Sequence, residues 1–281
     1  MIEWWHAILF GIVEGVTEFL PISSTGHLTL VEGILGFPVA DPSVTAFTAI
    51  IQVGAMVAAI IYFWSDIVRF ATAWFRGLFS AQHRKDPDYR MGWAIIVGFV
   101  ITAAIALVLK DVVEGPLRSL WAVVAGLLGW SVVMFAADRM AKAVRDEHSI
   151  TWIDGAILGV MQAIALVPGV SRSGATIAGG LFRGLDRVSA TRMSFFLGVP
   201  TLVASGAFQA VTEFRNIGAP GGVGWAATGL GTVVSGVVAY ASIAWLLKFV
   251  ASNNFTAFII YRVLLAVVII ALLLTGVIPA V

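Results

Sequence analysis

The chain has 281 residues, of which 59% are hydrophobic and only 12% charged, and its mean hydropathy is +0.96. Soluble domains carry about 25% charged residues, so the composition excludes an ordinary soluble domain and predicts an integral membrane protein. A net charge of +1 gives no basis for nucleic-acid binding, and the absence of cysteine excludes disulfides and thiolate metal sites.

The N-terminus, MIEWWHAILF, carries an acid and no basic region, so it is expected to remain in the mature chain rather than act as a signal peptide. Glu3, Trp4, Trp5 and His6 read as interfacial anchors. Trp4 to Leu20 is apolar and is followed by PISSTGH; Trp152 to Val167 is apolar and is followed by PGVSRSGAT. Each helical part is roughly 16 residues, or about 24 Å, short of a bilayer core of about 30 Å. Each ends in a proline and a polar, glycine-containing turn. That pattern predicts two re-entrant hairpins, which are tolerated at membrane depth only where protein or a wet cavity covers the backbone. Six longer runs predict spans, at 45–64, 91–109, 120–137, 193–211, 223–247 and 257–279.

The two hairpin regions resemble each other. AILFGIVEGVTEFLPISSTGH (7–27) overlays AILGVMQAIALVPGVSRSGAT (156–176) with a one-residue slip. Each precedes a short loop with an aspartate, Asp41 or Asp186, and then a span. The offset of about 146 residues marks an internal repeat. With both hairpins re-entrant, twelve of the 17 Lys and Arg fall on one side, in loops 66–90, 138–150, 183–192 and at Lys248. Three, Lys110, Arg118 and Arg215, fall on the other. A single crossing by residues 153–182 would reduce the split to nine against six. The positive-inside rule favours re-entrancy, with loops 66–90 and 138–150 cytoplasmic and both termini outside. The expected fold is therefore an all-α integral membrane protein, with six transmembrane helices plus two re-entrant helix hairpins in an inverted-topology repeat. It forms a single membrane domain over 1–281, with repeats at about 1–137 and 150–281.

The polar residues gather on the hairpins. Glu14 and Glu18 stand one helical turn apart on one face. Ser23, Ser24, Thr25 and His27 follow in the first turn; Ser171, Arg172, Ser173 and Thr176 occupy the second. Single hydroxyls in membrane helices mostly serve packing. Two glutamates, a histidine and an arginine on two repeat-related turns instead mark a site. An arginine fork and glycine-containing turns that open helices suit phosphate. Paired carboxylates suit a divalent cation or an acid–base role. A serine beside histidine or glutamate is a nucleophile with a base nearby. Together these groups point to metal-assisted phosphoryl transfer, with an anion transporter as the alternative from the residues alone. Asp154 reads as a helix N-terminal charge, and His83 and His148 as solvated. Arg262, beside Tyr261, fits an interface anchor or a support for the site equally well.

EGVTEFLPISSTGH and PGVSRSGAT closely resemble the two signature segments of the bacterial undecaprenyl-diphosphate phosphatase family, also called the bacitracin-resistance protein family. AFTAIIQVGAMVA (46–58) and FTAFIIYR (255–262) resemble its weaker segments. The resemblance covers nearly the whole chain. It implies hydrolysis of a C55 isoprenyl diphosphate carrier to its monophosphate in the bacterial inner membrane, with the site opening outward, and a Mg2+ or Ca2+ cofactor. It implies catalytic roles for Glu18, Ser24, His27 and Arg172, metal binding by Glu14 and Glu18, and phosphate binding by Ser23, Thr25, Ser171, Ser173 and Thr176. Ser24 and His27 both remain open as nucleophile. The expected partner is a polyprenyl diphosphate lipid; a homodimer is left open, and a polyprenyl-phosphate flippase is the competing class. Two departures stand out: Thr48 where relatives often carry an acid, and an alanine after Thr256 where proline is frequent. They weaken the expectation of a role for the Gln52 segment.

Overall fold

The computed structural model describes residues 2–37, 42–114, 119–217 and 223–278. Asp41 and Arg118 lie outside these residues, as do the side chains of Lys110 and Arg215. The described residues form eleven α-helices and no β-strand. A short pair, α1 (Trp4–Thr17) and α2 (Ser24–Ile34), opens the chain. It is followed by α3 (Pro42–Tyr62), α4 (Trp64–Phe79), α5 (Pro87–Glu114) and α6 (Leu120–Met140). A second short pair, α7 (Trp152–Ile164) and α8 (Arg172–Phe182), precedes α9 (Arg187–Ile217), α10 (Trp225–Val250) and α11 (Thr256–Leu274).

Among the described residues, five stretches are long and apolar enough to cross a membrane: α3, Pro87–Leu109 of α5, α6, α10 and α11. The chain is a multi-pass helical membrane protein. The sixth expected run falls within α9, which is 31 residues long and carries Pro200 in its interior.

The loop expected at 66–90 is instead largely helical. In α4, Trp64, Ile67, Ala71, Trp74 and Leu78 recur at three- and four-residue intervals, which is the period of a helix with one apolar face. Asp66, Arg69 and Arg76 occupy its other faces, and their density is what made the segment read as a loop.

Arg69 pairs with Asp66, Asp88 and Glu147, and Arg192 of α9 pairs with Asp66 and Glu147. Arg145 and Arg183 both bind Asp154, at 2.7 Å each. Asp154 also caps α7 through Thr151, so the expected helix-terminal charge is at the same time an ion-pair centre. Segments 66–90, 138–150 and 183–192 thus meet in one charged layer.

Both short pairs close on themselves. The His6 ring, at the start of α1, lies 5.2 Å from Phe37, just beyond α2. Asp154, at the start of α7, touches Arg183, just beyond α8. The interior ends of the two pairs meet, with Ser173 Oγ donating to the Leu20 carbonyl at 2.9 Å.

Small residues allow this packing. A Cβ on Gly11 of α1 would stand 2.6 Å from the Gly231 carbonyl oxygen of α10; one on Gly159 of α7 would stand 2.4 Å from that of Gly98 in α5. Close backbone approach supplies the dispersion contacts that join helices in lipid. The tightest case is Gly54 of α3, whose Cβ would lie 2.0 Å from the Thr232 carbonyl oxygen of α10. Backbone cannot swing aside, so Gly54→Ala is expected to cost about 1–3 kcal/mol. Thermal unfolding in detergent, read by tryptophan fluorescence, should show a Tm several degrees lower; an unchanged Tm would contradict the contact.

Candidate active site

Two broken helices build the site. After α1 the chain turns through Leu20 and Pro21, and after α7 through Pro168 and Gly169. Ser23 and Ser171 then adopt left-handed backbone angles, φ 75° and 77°. Non-glycine residues avoid this region. Each serine is retained there by a cap that glycine could not provide: Ser23 Oγ accepts from the Gly26 N–H and Ser171 Oγ from the Gly174 N–H. Helices α2 and α8 therefore begin beside the site, and helix N-termini suit anions.

Glu18, the residue that ends α1, is the hub. Its Oε2 accepts from Ser24 Oγ at 2.7 Å and from Gln52 Nε2 at 3.3 Å. Its Oε1 accepts from Arg172 at 3.2 Å. Arg172 is the first residue of α8, and its guanidinium lies in the space left by Gly198 and beside the Phe19 ring. Its Nε and Nη1 are buried without a partner. Glu14, one turn before Glu18, is 1% exposed, and neither of its carboxylate oxygens has a hydrogen-bond partner. Glu14, Ser24, Thr25 and Gln52 line a cavity of about 250 Å³, together with Glu32, Thr48 and Pro168. Glu18 stands directly behind two of those lining residues, and Arg172 behind Glu18.

The other expected residues divide into two groups. Thr25 is exposed to the cavity. Ser173 and Thr176 face inward: Ser173 binds the Leu20 carbonyl and Ser171, while Thr176 binds the Arg172 carbonyl and Ser194. His27 lies in the first turn of α2 rather than in the preceding loop, and both of its ring nitrogens are engaged. Nδ1 is 2.7 Å from the Ser23 carbonyl, which can only accept, so Nδ1 carries the proton. Nε2 of the neutral ring then accepts from the Tyr261 hydroxyl at 2.7 Å.

The family model described as bacitracin resistance protein BacA matches residues 7–268. The chain belongs to the BacA family. It is 53% identical, over 99% of its length and all of the relative's, to a protein named undecaprenyl-diphosphatase from Cutibacterium acnes. It is 50% identical to undecaprenyl-diphosphatase 3 of Frankia casuarinae, over 98% of both chains. A Mycobacterium protein named undecaprenyl-diphosphatase is 45% identical over 99% of this chain and all of its own.

The structure of this BacA-family chain adds residues that sequence reasoning passed over. Gln52, whose segment the Thr48 departure had cast in doubt, reaches Glu18. Glu32 is a third buried acid at the cavity, on α2. Arg262 is fully buried rather than interfacial. The signal for Gln52 was the family resemblance of segment 46–58, and for Glu32 a charge on the helix that follows the first motif.

Proposed function

We propose that the protein hydrolyses undecaprenyl diphosphate to undecaprenyl phosphate and inorganic phosphate, recycling the lipid carrier for cell-wall polymers and giving bacitracin resistance. One observation carries the chemistry: Ser24 donates to one oxygen of Glu18 while Arg172 holds the other. A hydroxyl bonded to a carboxylate is a nucleophile with its base in place. The names of relatives at 45–53% identity agree with this reaction.

The diphosphate enters the cavity and draws the Arg172 fork toward its oxygens, where the two unpaired nitrogens find acceptors. Ser24 Oγ attacks the terminal phosphorus as Glu18 takes its proton. The bond from phosphorus to the bridging oxygen breaks, and undecaprenyl phosphate leaves with that oxygen. Glu18 gives up this proton as undecaprenyl phosphate departs. Water then attacks the phosphoserine, Glu18 takes one of its protons and passes it to Ser24 Oγ as the serine–phosphorus bond breaks, and inorganic phosphate leaves. His27, with both nitrogens committed, fixes the Ser23–Ser24 turn and is a weaker candidate for base or nucleophile.

The chemistry of the donors suits a hard divalent cation, Mg2+ or Ca2+. Glu14 offers two unpaired carboxylate oxygens beside Glu18. Among the described residues no third His, Cys, Asp or Glu joins them in a metal-holding group. Neutral oxygens, water and substrate phosphate would complete the shell, as Mg2+ commonly requires. A cation held there would offset the charge of the diphosphate.

Six spans with two re-entrant hairpins in inverted repeat remain the best account of the topology. The closed ends of both pairs support re-entry. So do Ser23 and Ser171, which share a backbone angle and a cap. The glycine contacts add the same pattern, with α1 against α10 and α7 against α5. Helix α3 leads from the closed end of the first pair to the charged layer at the closed end of the second, so the two enter from opposite faces. The basic layer belongs to the cytoplasm, which leaves the cavity opening to the outer side of the inner membrane.

The test is phosphate release from undecaprenyl diphosphate by the purified protein in detergent, with and without a chelator. Release is expected to stop on chelation and return with Mg2+ or Ca2+. Full activity after chelation would remove the cation from the reaction. No release from folded protein that still binds the lipid would favour a carrier-flipping role.

A further inference from the structure

Arg262 of α11 is completely buried, and it is among the largest side chains in the protein with no exposed surface. Its five hydrogen bonds go to one hydroxyl and four backbone carbonyls. Nε donates to Ser131 Oγ at 3.2 Å, and Nη2 donates to Gly126 and Leu127 of α6. The remaining two bonds reach the turns that build the site. Nη1 donates to the Pro21 carbonyl at 3.2 Å, and Nη2 donates to the Gly169 carbonyl at 2.9 Å.

A helix broken inside a membrane leaves carbonyls that neither water nor the next helical turn can satisfy. Here two helices are broken at one place, and a single guanidinium serves both. Pro21 and Gly169 each stand two residues before the left-handed serine of their turn, Ser23 or Ser171. Arg262 therefore grips corresponding atoms of the two hairpins. The rigid planar fork fixes the directions of these bonds, so it also fixes one turn against the other. Glu18 and Ser24 flank the first of these carbonyls, and Arg172 follows the second.

We infer that Arg262 is a positioning residue that holds the two turns in register, so that Glu18 and Ser24 of one hairpin meet Arg172 of the other. It touches none of the reacting groups and acts through the backbone. Ser131 steadies it by accepting from Nε while donating to the Leu127 carbonyl. The effect on turnover rests on the phosphatase reading above; the register itself does not.

Two measurements on Arg262→Lys and Ser131→Ala test this. Hydrogen exchange followed by mass spectrometry in detergent reads the turns without any substrate. Lysine keeps the charge but loses the fork. It is expected to speed exchange in segments 20–27 and 168–175 while α3, α5 and α10 stay protected. Ser131→Ala should show the same two segments with a smaller change. Phosphate release should fall about 10²-fold in the lysine variant, mostly in kcat with KM within about twofold, as misplacement by about 1 Å predicts. A folded lysine variant whose turns stay protected overturns the inference. If lysine loosens the whole protein, Ser131→Ala decides: loosening confined to the two turns supports the register role, and unchanged turns overturn it. A wild-type protein that releases no phosphate would refute the phosphatase reading and leave the exchange result standing.

Discussion

Glu18→Gln is expected to lower kcat for phosphate release by about 10³-fold, within the range for loss of a general base. The substitution keeps the shape of the side chain and its ability to bond Gln52 and Ser24. It removes the capacity to accept the Ser24 proton, and it leaves Arg172 facing a neutral amide in place of the carboxylate 3.2 Å away. The two consequences separate experimentally. Loss of the base falls on kcat, whereas release of Arg172 from its partner frees the fork for phosphate and should leave KM unchanged or lower. Steady-state kinetics on undecaprenyl diphosphate give both numbers. A kcat within about tenfold of wild type would exclude Glu18 as the base and return His27 to consideration.

Arg172→Lys should lower kcat/KM by about 10²-fold or more, comparable to loss of a donor aimed at developing negative charge. Charge is conserved, so the effect reports geometry. In the wild type one nitrogen holds Glu18, while Nε and Nη1 are buried without acceptors. Buried donors without partners are costly, and phosphate oxygens would relieve two at once. Lysine presents a single ammonium and cannot hold Glu18 and phosphate in fixed relative directions. Arg172→Ala should be worse still. Near-normal activity in the lysine variant would refute the clamp.

The two glutamates and Arg172 were visible in the sequence because a charge inside an apolar run has no cheap structural excuse. The long spans were visible for the complementary reason: twenty apolar residues have few other places to go. What escaped attention has physical causes. In α4 the apolar positions are real but are diluted by Asp66, Arg69 and Arg76, and a short window reads charge before period. Gln52 carries no charge, so nothing in its own run sets it apart from a packing residue. Ser173 and Thr176 sit inside a motif that reads as phosphate-binding, yet one ties the hairpin tips together and the other joins α8 to α9. The motif shows that the segment matters without separating gripping from bracing. Arg262 was ambiguous because its decisive partners, Pro21 and Gly169, are 241 and 93 residues away in sequence. Only the folded chain brings them to it.

The position of Arg262 in the last helix also bears on how the protein is made. Helix α1, with Glu14 and Glu18, leaves the ribosome well before its packing partner α10 and the arginine that sets its turn. At about 5–20 residues per second, tens of seconds separate the two. Through that interval the first hairpin carries its acids without the arginine that holds its turn. If Arg262 sets the register, the site is completed in one late step, when α11 is made, and a chain interrupted before it carries Glu18, Ser24 and Arg172 with nothing to hold the two turns together.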